Sequence, residues 1–177
     1  MDIFEEYLQK PDHERVKQAL TDKSFNAYRC RNIKQNNPDH TDLNTPLNTN
    51  FNMATLGDAI LKFILIEQLW DKEDDPTEAK AQLESDRVLV EVIGKHYKIL
   101  NHLQYDYDDK KLPKDYEYRS AKGKNKNPHK YIATCVEAMI ATVYLDSPTE
   151  NLDKLRGLIL GHWIPMIRKQ KSYQNKK

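Results

Sequence analysis

The sequence predicts an all-α protein folded as a single domain. Apolar residues recur at helical spacing along most of the chain, and runs of strict apolar–polar alternation are scarce. Only five glycines interrupt the 177 residues. That length supplies a proper core for one domain and too little chain for two ordinary ones. Acidic and basic residues nearly cancel to a formal charge of +1, so any case for nucleic acid must rest on local patches. Cys30 and Cys135 have no Cys or His neighbour at zinc spacing, which points to reduced thiols in a cytosolic protein. The opening Met1-Asp2-Ile3-Phe4-Glu5-Glu6 lacks the basic and apolar regions of a signal peptide. No apolar run approaches the length of a membrane span, so the expectation is a cytoplasmic protein with no membrane partner.

The elements follow in order. Ile3, Phe4, Tyr7 and Leu8 form the inner stripe of a short helix ending near Pro11. A second helix is expected from about Asp12 to Thr21, with Val16, Ala19 and Leu20 inward. Residues 28–50 are rich in Asn, Asp and Pro and read as a long irregular loop. The third helix is expected to open at Leu56 or Gly57 and to run to about Trp70. It is apolar on most of its circumference (Ile60, Leu61, Phe63, Ile64, Leu65, Ile66, Leu69), the mark of a central buried helix.

Asp74-Asp75-Pro76-Thr77 breaks the chain, and Pro76 or Thr77 opens a fourth helix that passes Leu83, Val88, Leu89, Val92 and Ile93 to end near Gly94. From Tyr105 to His129 aliphatic residues are few. Asp106 to Asp109 is acidic, and Arg119, Lys122, Lys124, Lys126 and Lys130 make the following stretch basic. A helix from Tyr131 to Asp146 comes next. Ser147-Pro148-Thr149-Glu150 has the form of a capping box opening a last helix that carries Leu152, Leu155, Leu158, Ile159 and Trp163. The domain is expected to span residues 1–170, with 171–177 as a basic disordered tail.

Two carboxylates stand out within this pattern. Asp58 lies in Thr55-Leu56-Gly57-Asp58-Ala59-Ile60-Leu61 and Glu137 in Ile132-Ala133-Thr134-Cys135-Val136-Glu137-Ala138-Met139-Ile140. These are the two most apolar helical stretches of the chain. A buried carboxylate costs several kcal/mol unless it is paired, hydrogen-bonded or bound to a metal. For Asp58 there is a plain alternative: Thr55-x-x-Asp58 fits a helix N-terminus, where a carboxylate is favoured by free N–H groups and the dipole. Glu137 has only small or aliphatic residues and Thr134 one turn away on its own helix, and none of them is cationic. Together, two carboxylates on adjacent helices can hold one magnesium ion, which takes one or two protein carboxylates and keeps several waters. Such an ion can polarise a phosphodiester and activate water, and the basic stretch before the Glu137 helix would bring a phosphate backbone to it.

These residues resemble the ribonuclease III endonuclease domain. Leu56-Gly57-Asp58-Ala59 is similar to the family signature that opens a long apolar helix. Glu137-Ala138 and Tyr144-Leu145-Asp146 are similar to its second signature, and Ala19-Leu20-Thr21-Asp22-Lys23-Ser24-Phe25 to its early motif. Lys130 falls where the family often carries a lysine. The likeness runs in order from about residue 15 to 165. The family site has four acidic positions, and here two of them hold Ala54 and Thr134, while Thr55 replaces an aromatic that packs into a dimer partner. Ala and Thr at those places, with Asp and Glu retained, resemble the compact Mini-III branch, which lacks a double-stranded-RNA-binding domain.

The resemblance implies an all-α ribonuclease III-like bundle acting as a homodimer. It further implies cleavage of double-stranded RNA, with ribosomal precursors as substrate, to 5′-phosphate and 3′-hydroxyl ends. Asp58 and Glu137 would bind Mg²⁺, with Mn²⁺ able to substitute, while Thr134 orients a water on the ion and Lys130 steadies the scissile phosphate. Arg119, Lys122, Lys124 and Lys126 would track the backbone, reading A-form shape more than sequence. A ribosomal protein or particle is a further expected partner. The alternative is a related domain that has lost catalysis and binds structured RNA or a ribosomal partner, which Ala54, Thr55 and Thr134 favour.

Overall fold

The computed structural model describes residues 1–25, 29, 48–105, 115–118 and 129–174. Helices dominate, and among the described residues the one β-type contact is an isolated parallel bridge between Thr21 and Gln104. The elements are α1 (Ile3–Leu8), α2 (Glu14–Ala19), α3 (Phe51–Leu69), α4 (Pro76–Glu84), α5 (Asp86–Val88), α6 (Lys130–Asp146), α7 (Pro148–Leu158) and α8 (Ile164–Gln174). Residues Leu89–Gly94 and Ile159–Trp163 form π-helical segments, and Ile99–Asn101 a 3₁₀ turn. A continuous apolar core joins these helices, with Trp163, Phe4, Ile64, Leu89 and Met139 fully buried. No helix of the described residues is long and apolar enough to cross a membrane.

Several boundaries depart from expectation. The third helix, α3, begins at Phe51, five or six residues before Leu56 or Gly57. No proline or glycine separates Phe51 from Leu56, so nothing stops the helix from extending back to Asn50. Asp58 therefore sits in the helix body, and the capping reading fails. The fourth helix is broken: Ser85 takes an extended ψ of 144°, and its hydroxyl accepts from the Val88 N–H, so α5 starts afresh. The capping box at Ser147 does not form, since its side chain makes no cap hydrogen bond, although Pro148 does occupy the first turn. The last helix is interrupted at Ile159–Trp163 and then runs to Gln174, so residues 171–174 of the expected tail are helical.

Asp146, at the end of α6, ties the N-terminal helices down. Its carboxylate accepts from the Tyr7 hydroxyl (2.6 Å) and from Arg15 Nη1 (2.9 Å), and lies 3.2 Å from His13 Nε2. The aspartate of the Tyr-Leu-Asp motif thus has a structural task. On the far side, the Tyr97 hydroxyl donates to Asp2 and accepts from the buried Trp163 indole.

The decisive packing is between α3 and α6, the most extensively joined pair. Buried Ala133, Ala138 and Ala141 give α6 a shallow surface. Gly57 presses against it: a Cβ there would stand 1.7 Å from the Glu137 carbonyl oxygen and 3.2 Å from the Ala141 nitrogen. Only glycine permits this approach. Gly57→Ala is expected to push the helices apart at a cost on the order of 3 kcal/mol. Urea unfolding checks this, and unaltered stability would contradict the contact.

Candidate active site

The Gly57 contact decides where the two carboxylates go. Asp58 is the next residue on α3, and Glu137 owns the carbonyl against which Gly57 rests. Both side chains line one open cleft of about 450 Å³, together with Thr55, Lys62, Lys130 and Thr134. Burial pushes the Glu137 carboxyl up to about 7, with the Asp58 and Asp86 charges adding to the effect and Lys130 and Lys62 opposing it. Asp58 is a third exposed, and its Oδ2 accepts from Lys62 Nζ at 2.6 Å.

The remaining predicted residues divide. Lys130 projects over the lip of the cleft, two-thirds exposed, with Nζ 3.9 Å from Asp86 Oδ2. Thr134 lines the cleft, but its hydroxyl donates to the Lys130 carbonyl at 2.9 Å. Only its lone pairs are left for a ligand. Ala54 is buried in the cleft wall and supplies no donor. Arg119, Lys122, Lys124 and Lys126 lie outside the described residues, as do Cys30, the acidic stretch 106–109 and most of the 28–50 loop.

Two further carboxylates line the cleft that the sequence did not single out. Glu84 ends α4 and Asp86 begins α5, on either side of the Ser85 break. Glu84 pairs through Oε1 with Lys80 at 2.8 Å, while its Oε2 is buried with no hydrogen-bond partner. The only signal in the sequence was the Glu-Ser-Asp triplet, with a capping serine between two acids. A neighbouring cleft of about 420 Å³ shares Phe51, Lys130 and Thr134 and adds Asp22 and Lys23 from the early motif. Asp22 is buried and accepts from the Ser24 N–H at 2.8 Å, so its task is to hold the turn. Asn50 in the same wall donates to the buried Cys135 thiol at 3.2 Å.

The model of the ribonuclease III domain matches residues 52–148, from the first turn of α3 to the first residue of α7. The chain belongs to the ribonuclease III domain family. No curated protein and no solved structure matches it. The family match covers both carboxylates, the Gly57 contact and the α4–α5 break, and it assigns the chain to a family of endoribonucleases.

The donor set suits a hard divalent cation. Asp58 and Glu137 offer carboxylate oxygens in an open, water-accessible cleft, and Mg²⁺ needs no more than one or two of these beside its waters. Among the described residues no three His, Cys, Asp or Glu side chains stand ready to grip one ion together. A loosely held, hydrated ion is therefore the kind that fits.

Glu137 also makes a pH prediction for the metal-free protein. Its proton is held more tightly in the folded state than at the ordinary value of 4.5. The ionisation penalty is thus absent below pH 4.5 and complete above about pH 7. Glu137→Gln is expected to stabilise the metal-free protein at pH 8 by on the order of 2 kcal/mol and to leave it unchanged near pH 4. Urea titrations at the two pH values test this, and equal effects at both would contradict the burial.

Proposed function

We propose that this chain is a magnesium-dependent endoribonuclease that cuts double-stranded RNA, including structured ribosomal precursor RNA, to 5′-phosphate and 3′-hydroxyl ends. The observation that carries the reading is the meeting of Asp58 and Glu137 in one open cleft within a ribonuclease III domain. These two residues would hold Mg²⁺, or Mn²⁺ in its place. When bound, the ion supplies Lewis-acid polarisation of the phosphodiester and an activated water. Lys130, exposed and only loosely paired with Asp86, supplies a positive charge at the lip for the scissile phosphate. Thr134 offers lone pairs to a water in the cleft. Ala54 and Thr134 in place of two acids favour the Mini-III branch, and the site works in the cytoplasm on RNA carried by a ribosomal protein or particle. The basic residues Arg119, Lys122, Lys124 and Lys126 would follow the phosphate backbone, making binding steeply salt-dependent.

A homodimer is part of this reading, and an exposed face of α3 supports it. The third helix was expected to be a central buried helix, apolar on most of its circumference. Instead Leu56 and Ile66 are half-buried, while Ala59, Phe63 and Trp70 are exposed, and all five fall on one stripe in steps of three and four. Phe63 is 49% exposed and Trp70 69%. An apolar stripe of this kind is what a second copy of the same helix would cover. Phe51, also exposed, stands one turn before Thr55 and can serve as the aromatic missing from that position.

Two observations favour the second reading, an RNA-binding domain without catalysis: Asp58 is already paired with Lys62, and Thr134 spends its proton on the backbone. Duplex RNA incubated with and without Mg²⁺ separates the two. Cleavage that needs the ion and falls at least about a thousandfold in Asp58→Asn and Glu137→Gln supports the enzyme. Duplex binding with no cut product in Mg²⁺ or Mn²⁺ would leave the binding domain. For the dimer, Phe63→Glu is expected to shift the protein to monomer in sedimentation equilibrium, and an unshifted mass would remove this face from the interface.

A further inference from the structure

Lys62 lies one turn beyond Asp58 on α3, on the side that faces the cleft. Its ammonium donates to Asp58 Oδ2 at 2.6 Å. The same ammonium is within electrostatic reach of Glu84 and Glu137 as well as Asp58. It is therefore a cation that touches Asp58 and acts electrostatically on two further carboxylates of the cleft, Glu137 and the Lys80-paired Glu84. Lysine is a compact, strongly hydrated point charge on a flexible stem, so of all side chains it most nearly imitates a bound metal ion. Its side chain is 45% exposed, which leaves the stem free to swing the ammonium out to solvent.

We propose that Lys62 is a tethered counter-ion that competes with the divalent cation for Asp58 and so sets the concentration at which the site loads. The proposal rests on the reading of Asp58 and Glu137 as metal ligands and adds a residue that controls them. The competition follows from the geometry, since the Asp58 oxygen that accepts from Lys62 is one that the cleft would offer to an ion. With Lys62 in place, the cleft carries four carboxylates against Lys62 and Lys130. Without Lys62, Lys130 in the lining and the Lys80 partner of Glu84 would be the cations left to them among the described residues. A solvent-exposed ion pair one helical turn apart is weak, so a doubly charged ion can displace the ammonium once it is concentrated enough. The ammonium then moves outward, where it adds a positive charge beside an incoming phosphate. The ammonium offsets part of the cleft's negative charge in metal-free protein, which matters because Glu137 is half-buried and Glu84 has one oxygen without a partner.

The test is Mn²⁺ binding to the full chain without RNA, read from the electron paramagnetic resonance signal of the free ion at low ionic strength. Four proteins are compared: the unaltered chain, Lys62→Met, Lys62→Arg and Asp58→Asn, each shown to be folded by circular dichroism. Lys62→Met is expected to bind Mn²⁺ roughly three- to tenfold more tightly, because one positive charge beside a divalent ion has been removed. Lys62→Arg keeps the charge and should bind like the unaltered chain, and the gain in Lys62→Met should shrink as salt is added. If Lys62→Met binds no more tightly while Asp58→Asn loses the ion, the counter-ion role is overturned and the metal site stands. If neither the unaltered chain nor Lys62→Met takes up Mn²⁺, the metal reading on which the proposal rests is itself overturned.

Discussion

The contact of Gly57 with the Glu137 carbonyl is the constraint on which the rest depends. The two longest helices of the described residues cross where no side chain fits between them, with a Cβ on Gly57 falling 1.7 Å from the carbonyl oxygen. The same crossing that packs the core sets the chemistry, because the acid next to the glycine and the acid that owns the carbonyl are the two candidate ligands. Small residues on α6 make the approach possible, and Ile60, Leu61 and Ile64 on α3 fill the space beyond it. A second close approach reinforces the arrangement: Gly94 of the π-helical segment has no room for a Cβ against Ile132. Helix α6 is held by glycines on two sides.

This packing carries an electrostatic cost. Glu137 is half-buried beside Asp58 and Asp86, and its carboxyl holds a proton up to about pH 7. Lys62 and Lys130 offset part of that charge. Ala54 and Thr134 bring no charge to this cleft, while Glu84 and Asp86 reach it from the α4–α5 break. The acidic character of the cleft is thus shared between the α3–α6 seam and the α4–α5 junction. The site keeps a negative cleft suited to a cation while easing repulsion along the α3–α6 seam, where two more carboxylates would stand against Glu137.

The sequence made the helical class, the order of elements and the Asp58–Glu137 pair legible, because long apolar stretches with a single charge are conspicuous at helical spacing. What it left unread depended on partners distant in the chain. The start of α3 at Phe51 was hidden because the preceding stretch is rich in residues that favour loops and Leu56-Gly57-Asp58 resembles a helix start. The break at Ser85 was hidden by the continuous apolar periodicity from Leu83 to Ile93. Glu84 and Asp86 were not singled out in the sequence, because packing of α4 and α5 is what brings them to the cleft. The apolar stripe of α3 was taken as core, since periodicity alone does not distinguish a face covered by the same chain from one left for a second copy. The Tyr-Leu-Asp motif gave no hint that Asp146 anchors Tyr7 and Arg15, because those partners are more than a hundred residues away.

The central claim is that one helix crossing brings Asp58 and Glu137 into a shared cation site. Carbon-detected NMR titration of the Glu137 side-chain carboxyl, in metal-free protein and in Asp58→Asn, tests it most directly. The account predicts a midpoint near 7, a fall when the Asp58 charge is removed, and a further fall when Mg²⁺ is added to the unaltered chain. A midpoint at the ordinary 4.5 that responds neither to Asp58→Asn nor to Mg²⁺ would contradict it.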